Sequence, residues 1–281
     1  MIDRRKKNAE IFADTQIRYK TNSTLKDAVH NSIEKQKFVA ADTEITISEK
    51  LESRRADIIV SGKRSLEAAE SYAKQGKKVC VLNFASATNP GGGVVHGSSA
   101  QEESICRCTT LYPCLNTREM WGEFYNPHRS TNSPLYNDDC IYTPEVCIFK
   151  SDISFPEIMP EDKWWYADII TCAAPNLREK PNNAMNPCAG SEAAKISEPE
   201  LEKLLTSRIE RIFKLAVKNE NQVLILGAFG CGAFKNPPKV VARVFHKVME
   251  KYIRYFETIE YAVYHRAYED ANYSAFCKEM G

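Results

Sequence analysis

The apolar positions of this chain follow two rhythms. Largely apolar runs of strand length occur at 79–84 (Val-Cys-Val-Leu-Asn-Phe) and 222–226 (Gln-Val-Leu-Ile-Leu), with a shorter one at 57–60. Such runs, rich in β-branched residues, read as strands covered on both faces. Residues 141–149 and 168–174 read the same way, and 261–264 reads as the last strand. Between these runs apolar residues return every three or four positions. Helices are therefore predicted at 65–75, with Gly76 as the stop, and from about 99 until near Pro113. A capping box, Ser197-Glu198-Pro199-Glu200, opens another, with Leu201, Leu204, Leu205, Ile209, Ile212 and Ala216 on one face. A fourth, at about 238–252, gathers Val240, Val241, Val244, Phe245, Val248 and Tyr252. A short helix closes the chain.

Residues 5–37 are polar with helical spacing and predict one or two helices wrapped on the main domain. Glu44-Ile45-Thr46-Ile47-Ser48 alternates and predicts an edge strand. Residues 116–139, rich in Asn, Pro and Tyr, and 176–192 read as loops. Strands alternating with helices predict a three-layer α/β/α fold. The division expected is a helical extension over 1–54 and one catalytic domain over 55–281.

Two of the predicted strands run straight into glycine. After 79–84 comes Asn89-Pro90-Gly91-Gly92-Gly93, then a spacer from Val94 to Ala100, then Gln101-Glu102-Glu103 at a helix start. After 222–226 comes Gly227-Ala228-Phe229-Gly230-Cys231-Gly232-Ala233-Phe234. Glycine lets backbone N–H groups approach an anion, and a helix N-terminus adds positive potential. Two loops of this kind can grip a diphosphate from both sides. Neither is a Walker A loop, and the second lacks the Gly-x-Gly-x-x-Gly of a dinucleotide fingerprint. Paired carboxylates beside a phosphate cradle suggest acid or base chemistry on a phosphorylated substrate. The plainer alternative is a helix cap, since Ser98-x-x-Gln101 and Ser99-x-x-Glu102 both fit a capping box.

The Gly-Gly-Gly, spacer, Gln-Glu-Glu pattern with a Gly-Cys-Gly-Ala-Phe loop resembles the poly(ADP-ribose) glycohydrolases. The flanking Leu82-Asn83-Phe84-Ala85-Ser86-Ala87 and Arg107-Cys108-Thr109-Thr110-Leu111-Tyr112-Pro113 resemble their microbial-type branch. The resemblance covers most of the chain and implies a macrodomain-like fold with a mixed central sheet. It implies that Glu103 is the general acid/base and that Glu102 holds ribose hydroxyls, with Gln101 positioning both. Backbone amides of Gly91, Gly92 and Gly93, with Val94 beside them, and of Gly230, Cys231, Gly232 and Ala233 would hold the diphosphate. Phe234 would pack on the distal ribose and Tyr264 on adenine. The substrate implied is poly(ADP-ribose) or ADP-ribosylated protein, the product ADP-ribose, and no cofactor or metal is called for. Two alternatives remain at this point: a mono-ADP-ribosyl hydrolase, and an ADP-ribose reader without turnover, against which the intact Gln101-Glu102-Glu103 argues.

The bulk properties change little. At 281 residues with a net charge of +1, no global field points to sequence-specific nucleic-acid binding. Met1-Ile2-Asp3-Arg4-Arg5-Lys6-Lys7 lacks the apolar core of a leader, and the apolar runs are too short to span a membrane. Ten cysteines without a leader read as reduced thiols in a cytoplasmic protein. Cys106, Cys108 and Cys114 hold no Cys-x-x-Cys pair, and 106 and 108 face different sides of a helix, so they read as buried or idle thiols. His96 reads as a solvated loop residue. Arg4 to Lys7 read as a solvated helix start, with a weak contact to a polyanion as the alternative.

Overall fold

The computed structural model describes residues 3–49, 54–183, 187–266, 268 and 270–281. The predicted loop over 176–192 therefore lies outside the described residues at 184–186. Seven strands form one mixed sheet: β1 (Lys37–Val39), β2 (Asp57–Ser61), β3 (Val79–Phe84), β4 (Cys140–Ile148), β5 (Trp165–Cys172), β6 (Val223–Leu226) and β7 (Thr258–Ala262). Their spatial order is β1-β4-β5-β3-β6-β7-β2. β5, β3, β6, β7 and β2 are parallel, and β4 runs antiparallel to both β5 and β1.

The helices are α1 (Arg4–Thr21), α2 (Ser23–Lys35), α3 (Ser65–Lys74), α4 (Gln101–Cys108), α5 (Leu111–Leu115), α6 (Arg118–Met120), α7 (Asn126–Thr131), α8 (Glu198–Lys218), α9 (Pro238–Tyr252) and α10 (Ala271–Met280). Strand alternation sorts them into two layers. Cys80, Leu82, Leu224 and Leu226 face a core with Leu205, Ile209 and Ile212 of α8, Val241 and Phe245 of α9 and Phe276 of α10. Val79, Val81, Val223 and Ile225 face the other core, with Leu66 and Ala69 of α3, Ile105 of α4 and Phe12 of α1. This is why 79–84 and 223–226 have no polar face until Asn83.

Four expectations are corrected. Residues 44–48 form no strand; the antiparallel edge is β1 instead. Arg211 of α8 donates to the carbonyls of Ala40 and Thr43, so the chain just past β1 is satisfied by a side chain rather than by a ladder. Residues 116–139 are not mainly a surface loop. They hold α6, a π-turn at Trp121–Tyr125 and α7, with Met120, Phe124, Tyr125 and His128 buried. The aromatic spacing there carries a helical face that the Asn and Pro content masked. The helix predicted over 99–113 stops at Cys108, where Thr109 turns extended, and Pro113 falls inside the separate α5. The last strand is Thr258–Ala262, which leaves Tyr264 beyond its end.

Candidate active site

In a parallel sheet ligands gather where the strands end. Here the chain leaving the carboxyl ends of β3, β5, β6 and β7 surrounds one cleft of about 510 Å³. The β3 exit contributes Ser86, Gly92 and Gly93, and the β6 exit contributes Gly230, Gly232, Ala233 and Phe234. The β5 exit adds Asn176 and Arg178, and the β7 exit adds Tyr264. β3 and β6 are adjacent parallel strands, so the two glycine loops are neighbours. Gln101, Glu102 and Glu103 enter the same cleft from the first turn of α4.

The acids are not helix caps. The N-cap of α4 is Ala100, with no side-chain cap bond, and neither Ser98 nor Ser99 serves. Each acidic side chain turns to another loop. Glu102 accepts from Ser86 N at 2.7 Å and from Asn83 Nδ2 at 3.3 Å. Glu103 accepts from Gly93 N at 2.9 Å through Oε1, while its buried Oε2 has no partner among the described residues. Both carboxyls are buried, at 3% and 7% exposure. Burial pushes both above the usual carboxylate range, and for Glu102 the charge of Glu103 adds to it. Donors to Glu102 from Ser86 and Asn83, and to Glu103 from Gly93, pull the other way. The upward push is the greater at Glu102, but every oxygen of Glu102 has a donor that favours its ionised form, whereas one oxygen of Glu103 has none. A retained proton is best housed on that lone oxygen.

Gln101 is a splice between helix and strand. Its Oε1 accepts from Phe84 N at 2.9 Å, and its Nε2 donates to Leu82 O at 2.7 Å and Ser65 Oγ at 3.0 Å. It thereby continues the hydrogen bonding of β3 beyond its pairing with β6 and sets the first turn of α4 against it.

The glycines divide by role. A Cβ on Gly92, whose φ is +57°, would lie 2.6 Å from Glu103 Oε1 and 3.1 Å from Glu102 Oε2. Both carboxylates thus converge on the bare face of Gly92. The amide of Gly92 bonds to Asn89 O at 3.0 Å and that of Gly93 to Glu103. Two of the triplet's amides are thus already bonded inside the protein, to a turn and to an acid, which differs from the simple anion cradle that the sequence suggested. Gly91 and Val94 are buried under the loop and do not line the cleft.

The second loop is more open. Gly232 has nothing within 4 Å of an added Cβ. Among the described residues, the amides of Gly232, Ala233 and Phe234 have no partner within the protein. Asn236 braces the loop from behind, donating to Pro175 O at 2.7 Å and Gly230 O at 3.2 Å. Cys231 faces the core beneath, with its thiol pushed up to about 12 by burial, so it is packing rather than a nucleophile. Phe234 is half-buried, and Leu177 N donates to its carbonyl at 2.8 Å. Tyr264 is 50% exposed with the Arg64 guanidinium 4.2 Å from its ring centroid. Arg64, Asn83, Ser86 and Arg178 were not singled out from sequence. A polar Asn83 closing an otherwise apolar strand was the available signal.

The remaining marked residues lie apart. His96 is exposed on the spacer. Cys106, Cys108 and Cys114 are free and buried.

Comparison with known proteins agrees with this fold. Structures of poly(ADP-ribose) glycohydrolase from Thermomonospora curvata superpose with a TM-score of 0.82 at 25% identity, covering 98% of this chain and all of that one. The same enzyme bound to the inhibitor ADP-HPD gives 0.81 at 26%, over 98% and 99%. Poly(ADP-ribose) glycohydrolase from Deinococcus radiodurans in complex with ADP-ribose gives 0.75 at 30%, over 89% and 96%. No curated protein matches. The model of the microbial-type PARG catalytic domain matches residues 7–151, more than half of the chain and the whole first glycine loop with its acids. The chain belongs to the microbial-type PARG catalytic-domain family.

Proposed function

We propose that the protein hydrolyses poly(ADP-ribose), cutting ribose–ribose O-glycosidic bonds from chain ends and releasing ADP-ribose. The observation that carries the reading is the lone, buried Oε2 of Glu103 beside a cleft that offers free amides on its opposite wall. Adenine lies against Tyr264 beneath Arg64. The diphosphate lies along the amides of Gly232, Ala233 and Phe234, with Gly230 behind. The distal ribose lies between Phe234 and the acids, where the absent side chain of Gly92 leaves room.

Glu103 donates its proton to the leaving ribose oxygen as the anomeric C–O bond breaks, and that bond's electron pair departs on the oxygen. The sugar passes through an oxocarbenium-like state. Water, steered by the bound diphosphate, adds to the anomeric carbon and returns a proton to Glu103. Glu102 accepts ribose hydroxyl bonds on its remaining lone pairs. Every step uses the chain's own groups, the substrate and one water.

The superfamily reading, a macrodomain, rests on the three-layer sheet and the paired loops. The division at 54/55 is kept as a boundary between a helical extension and the catalytic domain. No helix among the described residues is long and apolar enough to cross a membrane. With ten cysteines and none of the described ones disulfide-bonded, a cytoplasmic setting fits best. ADP-ribosylated protein is the carrier of the polymer, and sequence-specific nucleic-acid contact has no place in this scheme.

The test is Glu103→Gln, assayed on polymer and on mono-ADP-ribosylated protein. ADP-ribose binding by calorimetry is retained, and release of ADP-ribose from polymer falls about 10²–10⁴-fold, the usual loss for a general acid. Wild-type turnover in the variant ends the mechanism. Turnover of mono-modified protein alone by the wild type replaces the substrate.

A further inference from the structure

We propose that α1 clamps the acid-bearing segment, and that Asn8 and Thr15 are positioning residues for Glu102 and Glu103; this rests on the glycohydrolase reading above. α1 meets the segment 93–108 at both of its ends. Before the acids, the buried Asn8 donates from Nδ2 to Gly97 O at 3.1 Å, and Arg5 Nε donates to His96 O at 2.9 Å. Gly97 sits at φ +75°, and a Cβ there would overlap the carbonyl of Arg5, so helix backbone lies directly on the spacer. After the acids, the buried Thr15 donates to Arg107 O at 2.6 Å. Between these points Phe12 packs edge-on to Tyr112, ring centroids 4.9 Å apart. Tyr112 in turn fills the space beside Gly91, where a Cβ would meet its Cδ2 at 2.8 Å.

The clamp is itself anchored. Lys150, 2% exposed, donates to Ile11 O at 3.0 Å and pairs with Asp14 at 2.7 Å. The amides of Phe149 and Lys150 close on Cys108 O at 3.1 and 3.2 Å. One short segment thus fixes both the helix α1 and the end of α4.

A displacement at the spacer reaches the acids through two bonds. His96 N and Ser98 N donate to Gly93 O at 3.0 and 3.2 Å, and Gly93 N donates to Glu103. No described residue of α1 lines the cleft, so Asn8 and Thr15 act only through these groups. Acid catalysis needs placement within about 0.5 Å, and an error of about 1 Å can cost about 10²-fold.

The full chain is assayed as Thr15→Val, Thr15→Ser, Asn8→Ala and Arg5→Ala. Thr15→Val keeps the shape and removes the donor. It and Asn8→Ala lower kcat on polymer about tenfold or more, while KM and the calorimetric Kd for ADP-ribose stay within about twofold. The alkaline limb of the pH–rate profile moves to lower pH, because a loosened α4 admits water to Glu103. Thr15→Ser keeps the hydroxyl and restores both readouts. Arg5→Ala, at an exposed contact, supplies a variant that folds even if the buried ones do not, and shifts both readouts in the same direction. Lower melting temperature with unchanged kcat per folded molecule and an unmoved pH profile overturns the clamp. A wild type that leaves polymer intact overturns the function reading instead.

Discussion

At the scale of single residues, the cleft holds two buried carboxyls at a cost in stability. Burial raises the carboxyls of Glu102 and Glu103 above their unfolded values. Their contribution to stability is then fully present below the ordinary glutamate range and is lost as pH rises through the folded values. Glu103→Gln carries no charge to bury. At neutral pH it should be more stable than the wild type by about 0.5–2 kcal/mol, with the gap closing as pH falls below the glutamate range; urea melts at a series of pH values check this. Two cleft-lining glycines, Gly92 and Gly232, should part company. Gly92→Ala puts a Cβ onto both carboxylates at a left-handed φ, so it should lose turnover and stability together. Gly232→Val meets only open cleft, so its melting temperature should match wild type while its Kd for ADP-ribose rises at least about tenfold, or about 1.4 kcal/mol. Sequence gave away Glu102 and Glu103 because two acids after a glycine triplet are a local pattern. It did not give away Ser86 or Asn83, whose bonds to Glu102 exist only after β3 and α4 pack. Nor did it reveal that the amides of Gly92 and Gly93 turn inward, since that depends on where the acids point.

At the scale of elements, α8 does more than cover the sheet. Its Arg208, buried at 1% exposure, bonds to Asp138 Oδ1 at 2.9 Å, Ala173 O at 2.8 Å and Leu135 O at 3.2 Å. It ties the approach to β4 to the exit of β5. Arg208→Met strands those acceptors and should cost about 3–5 kcal/mol by chemical denaturation; a loss under about 1 kcal/mol would show that water replaces it. Elements with strong periodicity were read well. α9 begins and ends at the residues expected, and the apolar runs at 79 and 223 are strands. The failures lie where a distant part of the chain supplies the bonding. Arg211 takes the carbonyls of Ala40 and Thr43, just ahead of 44–48, and the amides of Phe149 and Lys150 take the Cys108 carbonyl where Thr109 turns extended, so the predicted long helix divides into α4 and α5.

At the scale of the whole molecule, the cleft is shared by four strand exits, so ligand binding should stabilise the fold as a unit. ADP-ribose at one hundred times its Kd should add about 2.7 kcal/mol to unfolding, and no shift in the thermal transition would contradict a preformed site. The cysteines extend this to kinetics. Of the described thiols only Cys188 and Cys277 are partly exposed; the others are buried, and Cys106 lies behind Gly91 while Cys231 lies under the second loop. A buried thiol reacts only when its surroundings open, so its labelling rate measures the free energy of that opening. The native protein thus carries reporters already in place on both walls of the cleft. If the loops breathe separately from the sheet, Cys231 should label well before Cys80 at the centre of β3, and bound ADP-ribose should slow the first without touching the second.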